Sequence, residues 1–267
     1  MAGRRGTSKQ RTIVLSILSS HPLDRKEDGR AIIGSLHEHL GIWPALYGNW
    51  EPLNRRFDSS RSDVALYCWK FPSFLWSNGE RGVGGSVGIG ARSHITLRAV
   101  PGEFHQDELE SLLVDWSRIA DADFAYLHRL TDAEVSRGLA SRTVNLVDRI
   151  ARSYILFVTV HDLRRYIPDL YWATVFGRPY VGMFGRERLE SLPGVERVHA
   201  DQFLVRLTPR LDDLVDEPRR IEERREQIRR HLGEDAFFDP FLGREHDYRT
   251  PDLGESPATS SRGAVWD

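Results

Sequence analysis

Cysteine is nearly absent from this chain, since Cys68 is the only one in 267 residues. A single cysteine cannot form an internal disulfide, and its apolar neighbours in the run LYCW predict a small buried thiol rather than a nucleophile. The low cysteine content suits a reducing compartment. Lysine is also rare, occurring only at positions 9, 26 and 70. Arginine therefore carries almost all of the positive charge, which favours paired contacts with carboxylates.

The chain has neither an excess of one charge nor a long apolar run. Its 37 basic and 39 acidic residues leave a net charge of −2, so it has no basic footprint for nucleic acid. The basic N-terminus and the apolar run 13–18 imitate a signal peptide, but the run is short and is followed at once by His21 and Pro22. No other stretch approaches the length of a membrane span. We therefore predict a cytoplasmic protein that contacts neither nucleic acid nor membrane.

Familiar catalytic motifs are missing as well. The sequence contains no Walker loop and no HExxH pair. The only acid-x-Lys triplet, from Asp24 to Lys26, precedes any candidate partner acid, which argues against a restriction-like nuclease. His37 and His39 are two residues apart in a predicted helix, so they diverge around its axis and cannot share a metal. We therefore expect no catalytic residue, no metal and no cofactor, and binding is favoured over catalysis.

The glycine-rich stretch 79–91 is the strongest candidate for a ligand cradle. Gly88 and Gly90 supply two glycines of a dinucleotide fingerprint, but Ser93 occupies the place of the third. The strand-like run ITLRAV follows, rather than a helix whose N-terminus would hold a pyrophosphate. A closely packed hairpin strand is the preferred prediction. An enzyme of unfamiliar mechanism that uses this region remains an alternative.

Hydrophobic periodicity predicts an α+β fold. In the first half it predicts a strand at 12–18, a helix at 28–40 closed by Gly41, a short helix at 63–69 with Val64, Tyr67 and Cys68 inward, a hairpin of strands 79–91 and 95–100, a helix at 106–119 and a strand at 124–127. Strand, helix, two strands, helix and strand is the ferredoxin-like order, here with an insertion after the first helix.

The second half echoes this order. Strands are predicted at 154–160 and 170–176, a helix from Pro179, a hairpin of 195–198 and 203–207, and a last helix at 221–232. Thr131 and Glu134 have the spacing of a capping box. The predicted organisation is a flexible N-terminus (1–10), two α+β halves (11–130 and 131–240) and a disordered tail (241–267). The sheets of the two halves, mixed or antiparallel, either stack or join into one.

The aromatic-rich stretch 168–192 is the predicted centre of the core. Strand, turn and helix signals coincide there, and their large side chains must be buried together: Trp172, Phe176, Tyr180 and Phe184. The run LYWATVFGRPYVGMFGRERLESLPGVERV and the later FLVRLTP resemble the second half of immunity protein 52, a family of bacterial polymorphic toxin systems. The earlier WPALYGNWEPLNRRFD resembles the first half of that family. The resemblance spans roughly residues 11–240.

The resemblance implies a small cytoplasmic protein that binds and neutralises a cognate toxin, often a nuclease, by stoichiometric contact. Exposed acids that imitate phosphate would suit the cationic groove of a nuclease. The first candidate cluster precedes the last helix and comprises Asp212, Asp213, Asp216 and Glu217. The second is on the helix 106–119 and comprises Asp107, Glu108, Glu110 and Asp115. Acids that stabilise a helix N-terminus are the competing explanation for the first cluster. The helix after that cluster, RRIEERREQIRR, has the ordinary charge pattern of a solvated face.

A third class of function is a structural adaptor in a secretion or phage-related assembly. Stable association with a non-toxic partner distinguishes it from an immunity protein. The oligomeric state is left open by the sequence.

Overall fold

The computed structural model describes residues 12–89, 92–136, 140–142, 154–156 and 158–254. The strands in this part of the chain are β1 (Ile13–Ser19), β2 (Leu46–Gly48), β3 (Arg55–Arg56), β4 (Ser73–Asn78), β5 (Val83–Gly88), β6 (Ser93–Ala99), β7 (Phe124–Arg129), β8 (Ala140–Arg142), β9 (Tyr154–Leu156), β10 (Ala173–Phe176), β11 (Val195–His199) and β12 (Gln202–Arg206). Both predicted hairpins, β5–β6 and β11–β12, are confirmed.

The helices of the described residues are α1 (Lys26–Leu40), α2 (Ser62–Leu66), α3 (Gln106–Ile119), α4 (Asp132–Ser136), α5 (Val160–Leu163), α6 (Arg178–Phe184), α7 (Arg186–Glu190), α8 (Asp213–Asp216) and α9 (Pro218–Leu232). Helix α1 ends at Gly41, whose φ of 64° is the left-handed conformation that glycine adopts without strain. The predicted capping box at α4 is confirmed, since Thr131 N–H donates to Glu134 and Glu134 N–H donates to Thr131 Oγ1.

Ten strands form one antiparallel sheet in the order β11-β12-β10-β7-β1-β6-β5-β4-β2-β3. The stretch β7-β1-β6-β5 has the ferredoxin-like order, with the first strand between the fourth and the third. In the second half, β10, β12 and β11 take the positions of the first three strands, and β7 lies where a fourth would be. The two predicted halves therefore join through β7 into one sheet, and the α+β class with an antiparallel sheet is confirmed.

Two faces of the sheet are covered differently. Helices α1 and α3 pack side by side on one face, where Trp116 Nε1–H donates to the carbonyl of Ile32 at 3.2 Å. On the other face, Tyr126 of β7 stacks on Tyr171 with ring centroids 4.1 Å apart. Strand β1 is buried along its whole length because both of its faces are covered.

The stretch from Trp172 to Phe184 differs in detail from the prediction. All four large aromatic side chains predicted for the core are buried, but the strand is only β10, shorter than 170–176. The single predicted helix is divided into α6 and α7 at Gly185, whose φ is 86°. Gly177 lies between β10 and α6, and a Cβ there would fall against the carbonyl oxygen of Ala122. Glycine at this position therefore lets α6 begin directly beside the end of α3.

Three predictions need correction or lie outside the described residues. Val64 and Tyr67 were expected to face inward but are 53% and 56% exposed, whereas Cys68 is buried. The disordered tail does not begin at residue 241, because Tyr248 and Leu253 are buried and Tyr248 OH donates to the carbonyls of Asp239 and Gly243. The N-terminus 1–10, the end of the tail from residue 255 and most of 137–153 lie outside the described residues.

Candidate functional site

The acids predicted at 212–217 mostly form ion pairs within the chain. Asp212 pairs with Arg129 of β7, Asp216 lies 3.5 Å from Arg210, and Glu217 lies 2.9 Å from Arg220. Asp213 is 3% exposed and accepts a hydrogen bond from the backbone of Arg210. These groups hold α8 and the start of α9 in place.

The acids of α3 are used in the same way. Glu110 accepts from Arg206 Nε of β12 at 2.8 Å, and Glu108 accepts from His105 N–H at the start of the helix. Burial opposes ionisation of Asp115, but hydrogen bonds from Ser35 and Arg118 hold the pKa of this carboxyl below its ordinary value.

Asp107 is exposed, and its side chain makes no ion pair or hydrogen bond with any residue that the structure describes. Seven of the eight predicted acids therefore bind partners in their own chain. Contact of either cluster with a toxin stays a prediction.

A buried ionic network connects β7, α4, α9 and the segment before β10. Arg225 is 3% exposed. Its guanidinium donates to Glu222 at 2.7 Å, to the carbonyl of Leu170 at 2.9 Å and to Glu134 at 3.3 Å. The sequence predicted a solvated face for this part of α9, which is wrong for Arg225. Its charge is instead neutralised by Glu222 of the same helix and by Glu134 of α4.

His128 completes this network and orders it. The backbone N–H of Trp172 donates to His128 Nδ1 at 3.2 Å, so the ring proton is on Nε2, which donates to Glu134 at 2.8 Å. Burial raises the pKa of Glu134, but the interactions with His128, Thr131 and Arg225 outweigh it and hold the pKa well below its ordinary value. The network is a charged, fully paired cross-link beneath the surface.

A cavity of about 210 Å³ lies above the network between α4, α8 and α9. Half of its lining is apolar, from Ala133, Leu214, Val215, Pro218 and Ile221. Glu134, Glu222 and Arg225 also line it, but these groups already bind one another. The strongest polar groups of this cavity are therefore committed to the fold.

Two other regions contain residues of the types that bind metals or phosphate. The ligand atoms of Glu38, His39 and Asp115 lie within 4.8 Å of one another. Asp115 is 2.6 Å from the Arg118 guanidinium, so a metal ion would have to compete with a cation already in place. In the described part of the glycine-rich stretch, residues 83–88 form strand β5, and strand β6 follows rather than a helix whose N-terminus could hold a phosphate.

Large apolar side chains are exposed at two places that the sequence analysis did not select. One contains Trp50, Val64 and Tyr67, which are 67%, 53% and 56% exposed. The other contains Phe241 and Leu242, which are 96% and 55% exposed. Aromatic residues in segments without periodicity are the only sequence signal for these exposed places. The sequence does not show which of those aromatic residues face water.

Comparisons with known proteins show a resemblance of fold. No protein-family model matches the chain, and no curated protein matches it. Among solved structures, a Pseudomonas aeruginosa T6SS protein, PA0821, is similar with a TM-score of 0.50 and 12% sequence identity. The match covers 74% of this chain and 65% of that one, so it spans just under two thirds of the other protein. Within the described residues, no helix has the length and apolar character needed to cross a membrane. The chain thus shares the fold of a T6SS protein.

Proposed function

We propose that this chain is an immunity protein of a bacterial competition system, which binds a cognate toxin in the cytoplasm and neutralises it by stoichiometric contact. The observation that carries the proposal is the fold shared with a T6SS protein. The resemblance of its sequence to immunity protein 52 points to the same class of system. The toxin is the expected protein partner, and a nuclease is the chemistry that the resemblance favours.

The geometry supports binding rather than turnover. Polar groups at the most buried charged centre, around Glu134 and Arg225, are paired with each other and so are not aimed at a substrate. A paired internal network and a large aromatic core both fix the shape of the surface. A surface that is rigid before contact loses less conformational entropy on binding. An interface of ordinary size, roughly 1,600 Å² in total, would be enough to cover a toxin active site.

The direct test is co-expression with the toxin domain encoded by the neighbouring reading frame. Cells that contain both proteins should grow, and the two should elute together from a size-exclusion column. Continued killing in the presence of abundant soluble protein would contradict the proposal.

A titration separates stoichiometric binding from an enzymatic function. Increasing amounts of this chain are added to a fixed amount of toxin, and residual toxin activity is measured. A passive inhibitor abolishes activity at a fixed molar ratio of the two proteins, independent of incubation time. Time-dependent inactivation by a small fraction of an equivalent would instead indicate an enzyme.

The adaptor function predicts a third outcome. An adaptor would bind a non-toxic component of the secretion assembly and would leave the toxin active. Affinity purification of the tagged chain from cells with and without the toxin gene distinguishes the two classes.

A further inference from the structure

We propose that the toxin contacts this chain through an aromatic–arginine surface composed of Trp50, Val64, Tyr67, Arg56 and Arg61. The inference rests on the proposed function and names the contact face and the chemistry of the partner. That partner is a protein surface with an apolar centre flanked by carboxylates. The acidic residues that the sequence suggested are not the main contacts.

Hydrogen bonds bring the two segments of this surface together. Asn49, next to Trp50, donates from Nδ2 to the carbonyl of Cys68, next to Tyr67, at 3.0 Å. The same amide donates to the carbonyl of Ser73 at 2.6 Å, and Ser73 Oγ–H donates back to the carbonyl of Asn49 at 2.8 Å. The loop that carries Trp50 is therefore fastened to the segment that carries Tyr67.

Val64 of α2 projects from the same side as Tyr67, whereas Ala65 and Leu66 of this helix are buried. Val64 and Tyr67 are three residues apart in helical backbone, so they are neighbours on one face. The ring of Tyr67 also meets that of Phe71 edge to face, with centroids 6.4 Å apart. More than half of each of Trp50, Val64 and Tyr67 is in contact with solvent. Exposed apolar area of this kind, grouped and not scattered, marks interaction sites.

The layer beneath the surface is rigid. Trp69 is buried, and its Nε1–H donates to the carbonyl of Leu23 at 2.7 Å. Its ring packs on Phe74 with centroids 5.2 Å apart, and Phe74 in turn packs on Tyr47 at 6.0 Å. The exposed aromatic residues are thus carried by a packed aromatic layer, as expected for a surface that is ready for contact before the partner arrives.

The charge around the apolar centre favours an acidic partner. Neither Arg56 nor Arg61 forms an ion pair with a residue that the structure describes. Nearby Asp63 is paired with Arg30 at 2.8 Å, and Asp58 accepts from Ser60 N–H and Oγ–H. Asp58 and Asp63 are therefore engaged within their own chain, and Glu51 beside Trp50 is exposed without an ion pair to a residue that the structure describes. Both arginines are exposed and can reach carboxylates of another protein. Tryptophan, tyrosine and arginine are the residues most enriched where binding energy is concentrated.

A second copy of this chain is a poor occupant of the same surface. Strand β3 is the last strand of the sheet, and Arg55 and Arg56 are both exposed on it. Pairing of two such edges would bring arginines of both copies together. Charged residues on an edge strand are a recognised means of preventing that association.

Binding measurements with matched variants test the inference. The probe is the purified toxin domain encoded by the neighbouring reading frame, and its affinity is measured by calorimetry. The variants W50A/Y67A and R56E/R61E should each weaken binding at least roughly tenfold. Two controls should stay within about twofold, because they remove equally exposed side chains outside the surface: F241A/L242A for the apolar residues and R219E/R244E for the arginines.

The outcomes separate the inference from the proposed function. If the unmodified chain does not bind the toxin, both the proposed function and this inference are contradicted. Binding by the unmodified chain with unchanged affinity in W50A/Y67A overturns the inference alone. The same holds if D216N/E217Q weakens binding more than W50A/Y67A does, or if the unmodified chain forms a dimer that W50A/Y67A abolishes. Melting temperatures of all variants, measured beside the binding data, identify any variant that is not folded.

Discussion

Arg225 shows that burial of one residue changes the role of its charge. In the sequence it belongs to the run RRIEERREQIRR, in which alternating charges are typical of a solvated helix face. In the structure it is 3% exposed and has carboxylates on several sides. A buried ion pair contributes little net stability, but removing one partner leaves the other charge buried without compensation.

Substitution of Arg225 by methionine should therefore be costly. R225M keeps an unbranched but shorter side chain and leaves Glu134 without its cation, so we expect a loss of roughly 3–5 kcal/mol in the free energy of unfolding. R230M on the same helix is the control, because Arg230 is 66% exposed, and its effect should be within about 0.5 kcal/mol. Urea unfolding followed by circular dichroism measures both. Equal effects would contradict the role assigned to the network.

Glu134 makes the stability depend on acid pH. Its pKa is held well below the ordinary value of 4.5 in the folded chain. A carboxyl with a lowered pKa contributes stability that is present above the unfolded pKa and is lost as pH falls toward the folded value. We therefore expect the free energy of unfolding to decrease between about pH 5 and about pH 3.

The matched variant for that prediction is E134Q. It should be less stable than the unmodified chain near neutral pH, by roughly 1–3 kcal/mol, because it loses a charge-assisted pair. It should also lose less stability over the acid range, since it has no carboxyl to titrate at this position. Parallel pH profiles for the two proteins would argue against Glu134 as the source.

Among the elements, those with strong local signals were predicted well. Periodicity and glycine chemistry predict the hairpin β5–β6, helix α3 and the C-terminal glycine of α1. The predicted bounds of these elements lie within a few residues of the observed ones. The division between α6 and α7 was missed because Val181, Phe184 and Leu189 continue the apolar spacing through Gly185. The break falls at Gly185, whose φ of 86° lies in a region that glycine adopts without strain.

A tertiary contact, and not the local backbone conformation, requires glycine at position 177. Its φ of −87° is accessible to any residue, so a glycine is needed only because of the neighbouring carbonyl of Ala122. G177A should lower the free energy of unfolding by at least about 1–3 kcal/mol, because backbone must move to admit the methyl group. G182A is the control, since nothing lies within 4 Å of a Cβ there. It should be neutral or stabilise α6 by up to about 1 kcal/mol. Thermal unfolding distinguishes the two.

For the whole molecule, strand β7 is the structural link between the two predicted halves. It pairs with β1 on one side and with β10 on the other. The candidate site was harder to predict than the fold, for a reason of distance along the chain. Glu110 pairs with Arg206, 96 residues away, and Asp212 with Arg129, 83 residues away. The sequence identifies the acids but does not show that distant arginines neutralise them.

The shared strand predicts that the first half is not an independent unit. A fragment of residues 1–130 would end just after β7 and would expose the aromatic side chains that the second half covers, including Phe124 and Tyr126. We expect this fragment to aggregate or to unfold without a cooperative transition, whereas the full chain should unfold in one transition. Circular dichroism and tryptophan fluorescence should give coincident curves for the full chain. A soluble fragment with a sharp transition would contradict the prediction.

The single thiol of the molecule lies directly below the aromatic–arginine surface. Cys68 is fully buried, and Arg55 donates to its Sγ at 2.9 Å. An alkylating reagent reaches this sulfur only when the segment opens. The rate of alkylation in excess reagent therefore measures how often the segment opens. No second cysteine contributes to the measured rate. A ligand bound over this face would therefore lower the rate of Cys68 alkylation, and no engineered label is needed to detect it.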